Sequence, residues 1–377
     1  VRIYAGLFLA LLAVTITSCQ PLVEGRQTID SQRAAPISPP VVAAAAEEEA
    51  NMQPPSAEAP LRDLAETRGR QIGAAVAYDA LQGEQEYREV LGREFNMLTA
   101  ENVFKFDALH PAPDRYDWAA ADAIVSFAEA HGMRVRGHTL VWHNQLPSWV
   151  TEGGYTRDEL IAILRDHIHT VVGHYRGRVA AWDVVNEAVN DDGTLRDTLW
   201  LRGIGPEYLD LVFQWAREAD PDALLFYNDY GGEGLGTKSD AIYDLVAGMR
   251  QRGVPIDGVG LQMHITANYY PPLDDLAANI QRLGDLGLVV HITEMDVRIE
   301  HPVTEDKLAQ QANVYRDALE VCLQADHCTA FVLWGFTDRH SWIPGFFPGT
   351  SAALIFDEQY QAKPAYYALR EALAGSQ

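Results

Sequence analysis

Two octets decide the fold: residues 180–187, A-A-W-D-V-V-N-E, and residues 289–296, V-V-H-I-T-E-M-D. Each is a short, largely apolar run that closes on carboxylates. A strand buried on both faces reads as such a continuous run, whereas a half-exposed strand alternates. The same texture recurs at 72–78, 96–102, 134–142, 224–230, 258–264 and 330–337. Helical patterns lie between these runs, at 119–130 before His131-Gly132, at 157–175 before Arg176-Gly177, and at 308–323. Eight strand-helix alternations over residues 61–377 predict an α/β fold, a single (β/α)8 TIM barrel.

That architecture makes a chemical demand. Reactive groups belong at the C-terminal ends of the strands and in the loops just after them. Polar residues collect there: Glu101, Asn102 and Lys105; His138 to His143; Asn186 and Glu187; Asn228, Asp229 and Tyr230; Gln262 and His264; Glu294 and Asp296; Trp334. Charged groups this near a core need partners or incur a desolvation cost, so stability alone does not explain them. The fourth and seventh strands face one another across a barrel mouth, which brings Glu187 and Glu294 together. Paired carboxylates suit glycoside hydrolysis, one donating a proton to the leaving oxygen while the other attacks or activates water. Either glutamate alone would read as an ordinary solvent-facing residue.

Composition narrows the partners. The 377 residues carry 53 Asp and Glu against 29 Lys and Arg, a net charge of −24. Such a surface repels phosphate, which argues against nucleic acid, while a neutral polysaccharide feels no repulsion. Eight Trp, 16 Tyr and 12 Phe exclude a chain disordered throughout. Three cysteines, Cys19, Cys322 and Cys328, are too few for a disulfide scaffold, and none has zinc-ligand company.

The N-terminus differs from the rest. Arg2 precedes an uncharged run, I-Y-A-G-L-F-L-A-L-L-A-V-T-I, and then Thr17-Ser18-Cys19. A charged start, a short apolar stretch and small residues describe an export signal over residues 1–19. The I-T-S-C segment resembles a bacterial lipobox, so Cys19 is expected to carry lipid and anchor the chain to a membrane; an ordinary cleaved signal is the alternative. Gln20 after Cys19 points to an outer-membrane or cell-surface lipoprotein, with secreted or periplasmic location as the other outcomes. Residues 20–60 contain no aromatic residue and seven prolines, the composition of an extended linker.

The motifs E-N-V-F-K-F, G-H-T-L-V-W-H, W-D-V-V-N-E-A, Q-M-H-I, I-T-E-M-D and W-G-F-T-D, in chain order, closely resemble family 10 glycoside hydrolases, the endo-β-1,4-xylanases. The resemblance runs from about Leu61 to Leu373. It implies hydrolysis of xylan and xylo-oligosaccharides without a cofactor or metal, by a retaining mechanism with Glu187 as acid/base and Glu294 as nucleophile. It further implies that Asn186 bonds the sugar 2-hydroxyl and that His264, held by Asp296, orients Glu294. His138 contacts the same sugar. Glu101, Asn102 and Lys105, with Gln262 nearby, clamp the next one. Trp142, Trp334 and Trp342 wall the pyranose faces. A local disulfide between Cys322 and Cys328 also follows from the resemblance. Gly231, Phe106 and Met263 depart from common family choices and touch preferences along the cleft rather than the reaction.

Other features read more plainly. Trp118, Trp182, Trp200 and Trp215 are expected to fill core, and His167, His169 and His174 to be packed or surface residues. Asp191-Asp192-Gly193 reads as a turn. The glycine-rich run 231–239 lacks the order of a phosphate loop and is expected at the cleft edge. Two rivals to xylan hydrolysis remain: a barrel β-1,4-glucanase, and a lipoprotein that captures glycan without turnover.

Overall fold

The computed structural model describes residues 59–375. The signal, most of the linker and Cys19 lie outside the described residues. Among the described residues there are ten strands: β1 (Gln71–Val76), β2 (Met97–Ala100), β3 (Arg134–Val141), β4 (Ala181–Asn186), β5 (Leu224–Asp229), β6 (Gly258–Leu261), β7 (His264–Thr266), β8 (Val289–Glu300), β9 (Cys328–Leu333) and β10 (Thr350–Ser351). Eight of them pair in parallel in the order β8-β6-β5-β4-β3-β2-β1-β9, and β9 returns to β8 to close the barrel. The expected (β/α)8 architecture is the observed one.

Burial explains why the strands read as apolar runs. Every residue of β2, β4 and β6 is buried, because side chains on one face fill the barrel and those on the other meet helices. The enclosing helices carry apolar stripes, as in Arg157–His174, whose start is fixed by a capping box between Thr156 and Glu159. At Gly137 of β3 an added Cβ would sit 2.3 Å from the Trp182 indole, so glycine is what lets that ring pack inside.

Three expectations change in detail. The run 258–264 is not one strand: Met263 takes a left-handed φ of 66°, splitting it into β6 and β7. The run 289–296 extends to Glu300, because β7 and β10 supply edge partners above the barrel rim. Trp118 is not core but half-buried, stacked between Tyr116 and His174 on the outer face, with ring centroids 5.1 and 4.0 Å away. Trp182, Trp200 and Trp215 are buried as expected. Cys322 and Cys328 form the disulfide, with Cα atoms 5.1 Å apart, at the opening of β9 and thus at the end of the barrel away from the strand C-termini.

Candidate active site

The strand ends converge on two carboxylates. Glu187 is the first residue after β4, half-buried, with a left-handed φ of 58°. A non-glycine residue there is strained and persists only where neighbours hold it. Here its backbone N–H donates to Asn228 O at 2.8 Å, and Arg196 Nε donates to its carbonyl at 2.8 Å. Its side chain accepts from Trp142 Nε1 (2.9 Å), Gln262 Nε2 (3.1 Å) and Asn186 Nδ2 (3.2 Å). All three donors are neutral.

Glu294, inside β8, is buried and held by charge. His264 Nε2 lies 3.1 Å from Oε2, and His264 Nδ1 lies 2.9 Å from Asp296 Oδ2. Burial disfavours the histidine cation, but the flanking Asp296 and Glu294 outweigh it and raise its pKa to about 10. An imidazolium therefore sits between two carboxylates. Burial would raise the Glu294 carboxyl, yet His138 and His264 hold it below the ordinary carboxylate value. Glu294 is thus ionised at neutral pH.

The two halves share one amide network. Asn228 Nδ2 donates to Glu294 Oε1 at 2.7 Å and to Asn186 Oδ1 at 2.8 Å. Gln262 Nε2 donates to that same Asn186 oxygen at 3.1 Å and to Glu187. Thr293 Oγ1 donates to Asn228 Oδ1 at 2.7 Å, which fixes the amide orientation. Asn228 fits only because Gly260 faces it: a Cβ there would lie 2.2 Å from Oδ1.

The remaining expected residues line the same mouth. Lys105 Nζ donates to Asn102 Oδ1 at 3.0 Å and lies 5.0 Å from the Trp142 ring. Burial lowers its pKa against the pull of Glu294 and Glu101, and burial raises that of Glu101. Trp334 is T-stacked on His138 and His264, at 5.1 and 6.2 Å. Trp342 Nε1 donates to Asp296 Oδ2 at 2.8 Å, so this indole is tied through Asp296 to the histidine that holds Glu294.

Several positioning groups had no assigned part. Asp183, within β4, accepts from Arg136 and lies 2.9 Å from His138 Nδ1. Burial opposes its charge, but Arg136 and His138 hold its pKa down. A charged residue inside an apolar strand was the available signal. Glu233 was hidden in the glycine-rich run. It is buried, and its Oε1 accepts the backbone N–H of Gly231 and of Met263, each at 3.0 Å. It thereby ties the loop after β5 to the left-handed residue between Gln262 and His264. Asp191-Asp192-Gly193 is a turn, with Asp192 Oδ1 accepting from Thr194 N at 3.0 Å. His167 is buried and stacked on Phe106 at 3.7 Å. Among the described residues no group of three or more His, Cys, Asp or Glu could hold a metal ion, and no helix is long and apolar enough to cross a membrane.

A barrel whose strand ends present an ionised, buried glutamate opposite a neutral-bonded one can be compared with known proteins. The model of glycosyl hydrolase family 10 matches residues 60–372. Endo-1,4-beta-xylanase B of Thermotoga neapolitana is 48% identical over 322 residues, covering 84% of this chain and 92% of that protein. Among solved structures, native xylanase 10B of Thermotoga maritima superposes with a TM-score of 0.81 at 48% identity, covering 83% of this chain and 98% of that one. Xylanase 10B of Thermotoga petrophila RKU-1, solved with xylobiose, gives 0.82 at 48% identity, covering 85% and 98%. The chain belongs to glycosyl hydrolase family 10.

Proposed function

We infer that this chain is an endo-1,4-β-xylanase that cleaves xylan with retention, Glu294 acting as nucleophile and Glu187 as acid/base. The observation that carries the assignment of roles is the asymmetry of the two glutamates. A nucleophile must start ionised, and Glu294 is held so by the His264 imidazolium and by His138. A general acid must give up and recover a proton, and the Glu187 carboxyl group accepts only from neutral donors, the nearby Arg196 guanidinium bonding its backbone carbonyl instead.

In the first step a Glu294 oxygen attacks the anomeric carbon, the glycosidic C–O bond breaks, and the Glu187 proton passes to the departing oxygen. In the second step water attacks that carbon, Glu187 takes its proton, and the Glu294 ester bond breaks, regenerating both groups. Asn186 would bond the 2-hydroxyl of the reacting sugar, a role supported by its amide, which donates to Glu187 and is joined to Glu294 through Asn228. His138 would meet the same sugar. Glu101, Asn102, Lys105 and Gln262 would clamp the next one. Trp142, Trp334 and Trp342 would enclose the pyranose faces and crowd the position where glucose bears a hydroxymethyl, disfavouring a glucan.

The N-terminal sequence supports export, with Cys19 as a lipidated anchor and residues 20–60 as a tether between membrane and barrel. Lipid labelling tests this: Cys19→Ala should abolish incorporation of a labelled fatty acid, and persistent incorporation would contradict it. For the activity, the full chain should release reducing sugar from xylan and not from carboxymethylcellulose. Release from cellulose at a comparable rate would favour the glucanase, and no release from either would favour capture without turnover.

A further inference from the structure

We propose that Arg298, stacked on Phe347 at the rim of the cleft, binds the carboxylate of a uronic acid branch on the xylan chain. The inference rests on the xylanase reading and adds to it a residue that recognises the charge of a side branch.

Arg298 lies on β8, the strand that carries Glu294. Residues 294, 296 and 298 alternate onto one face, so Arg298 follows Glu294 and Asp296 outward, roughly 13 Å along an extended strand. The intervening residues face the other way: Val297 and Ile299 are buried, and Val297 O accepts from Gln311 on the helix behind. An aromatic path links the cation to the cleavage site. Trp342, bonded to Asp296, packs edge-on against Phe347 at 5.6 Å, and the Arg298 guanidinium lies 4.0 Å from the Phe347 centroid. The cation therefore sits one ring beyond the wall of the reacting sugar.

Its hydrogen bonding is incomplete. A guanidinium has five N–H donors, and among the described residues only Nη1 has a partner, Ile265 O at 3.4 Å. No carboxylate of the described residues lies within the 4.0 Å that defines an ion pair for Arg298, in a chain of net charge −24. Other mouth cations are committed: Lys105 to Asn102, Lys238 to Asp229 and Asp191, and Arg339 to Glu84. The Phe347 ring braces the guanidinium, and four of its five N–H donors have no partner among the described residues. A planar fork of this kind matches a carboxylate with two parallel hydrogen bonds, which a hydroxyl cannot reproduce. The acidic surface would otherwise repel an anionic polymer, so a cation at the rim also offsets that repulsion locally.

The test compares two xylo-oligosaccharides of equal length, one with a single uronic acid branch and one unbranched. The enzymes are the full-length wild-type, Arg298→Met and Arg298→Lys. Methionine keeps apolar contact with Phe347 and removes the charge, and lysine keeps the charge without the fork. Arg298→Met should lower kcat/KM about tenfold on the branched substrate and leave the unbranched one within about twofold. Arg298→Lys should fall between. The wild-type preference for the branched substrate should shrink as salt is raised to about 0.5 M. Equal losses on both substrates would make Arg298 a packing residue and overturn the proposal, as would an unchanged ratio. A wild-type protein inactive on the unbranched substrate would instead sink the xylanase reading itself.

Discussion

Glu294 and Glu187 hang from one amide network, yet their surroundings differ in kind. Around Glu294 the partners are ionic and buried: His264 between two carboxylates, and His138 backed by Asp183 and Arg136. Around the Glu187 carboxyl group they are an indole and two amides, with the Arg196 guanidinium holding only the strained backbone. The difference teaches how one barrel runs two carboxylate chemistries at a single pH. On the proposed roles, ionic partners gather around the carboxylate that attacks, and neutral donors around the one that exchanges a proton.

The most severe break in that contrast is removal of Glu294, the proposed nucleophile. Glu294→Ala should lower kcat on xylan by at least about 10⁴-fold with folding intact by circular dichroism. Residual activity above about 1% of wild-type would show that another group attacks. Removing the fixed charge should cost less. His264→Gln is expected to lower kcat by about 10²-fold. It should also move the acid limb of the kcat/KM profile to higher pH, because Glu294 loses the cation that holds its carboxyl down. An unmoved acid limb would mean that His138 alone sets that charge.

The same histidine links the site to stability. Its folded pKa is raised to about 10. Its contribution is therefore complete below the unfolded value near 6.5 and is lost as pH rises through about 10. Wild-type Tm should fall across that window more steeply than Tm of His264→Gln. Parallel slopes would contradict an imidazolium between Asp296 and Glu294.

A gentler test sharpens the role of Glu233, which acts through Gln262 and His264. Glu233→Ala should reduce kcat about tenfold with KM little changed. Glu233→Gln, which keeps an acceptor for both N–H groups, should stay within about threefold. The smallest effect on activity belongs to the far end of the barrel. Replacing Cys322 and Cys328 by alanine should reduce unfolding free energy by about 2 kcal/mol and leave kcat/KM unchanged.

Much of this was legible in the sequence because barrel strands are buried on both faces and their reactive ends interrupt an apolar run. Glu187 and Glu294 announce themselves as carboxylates closing such runs. The split at Met263 was not legible, since G-V-G-L-Q-M-H-I reads as continuous strand and methionine gives no sign of a left-handed φ. Asn228 stood out as a polar strand end, but its bridge between the glutamates depends on the space left by Gly260, a contact between neighbouring strands that no local pattern encodes. Glu233 sat among glycines that drew attention to the backbone and away from its side chain.

The most direct test of the divided roles is azide rescue, using an aryl xylobioside whose leaving group needs no protonation. In Glu187→Ala, the glycosyl-enzyme on Glu294 should still form, and azide should accelerate turnover and yield the β-xylobiosyl azide. In Glu294→Ala, azide should take the place of the missing nucleophile and yield the α-azide. Exchange of those two stereochemical outcomes between the variants, or β-azide from both, would contradict the assignment of Glu294 as nucleophile and Glu187 as acid/base.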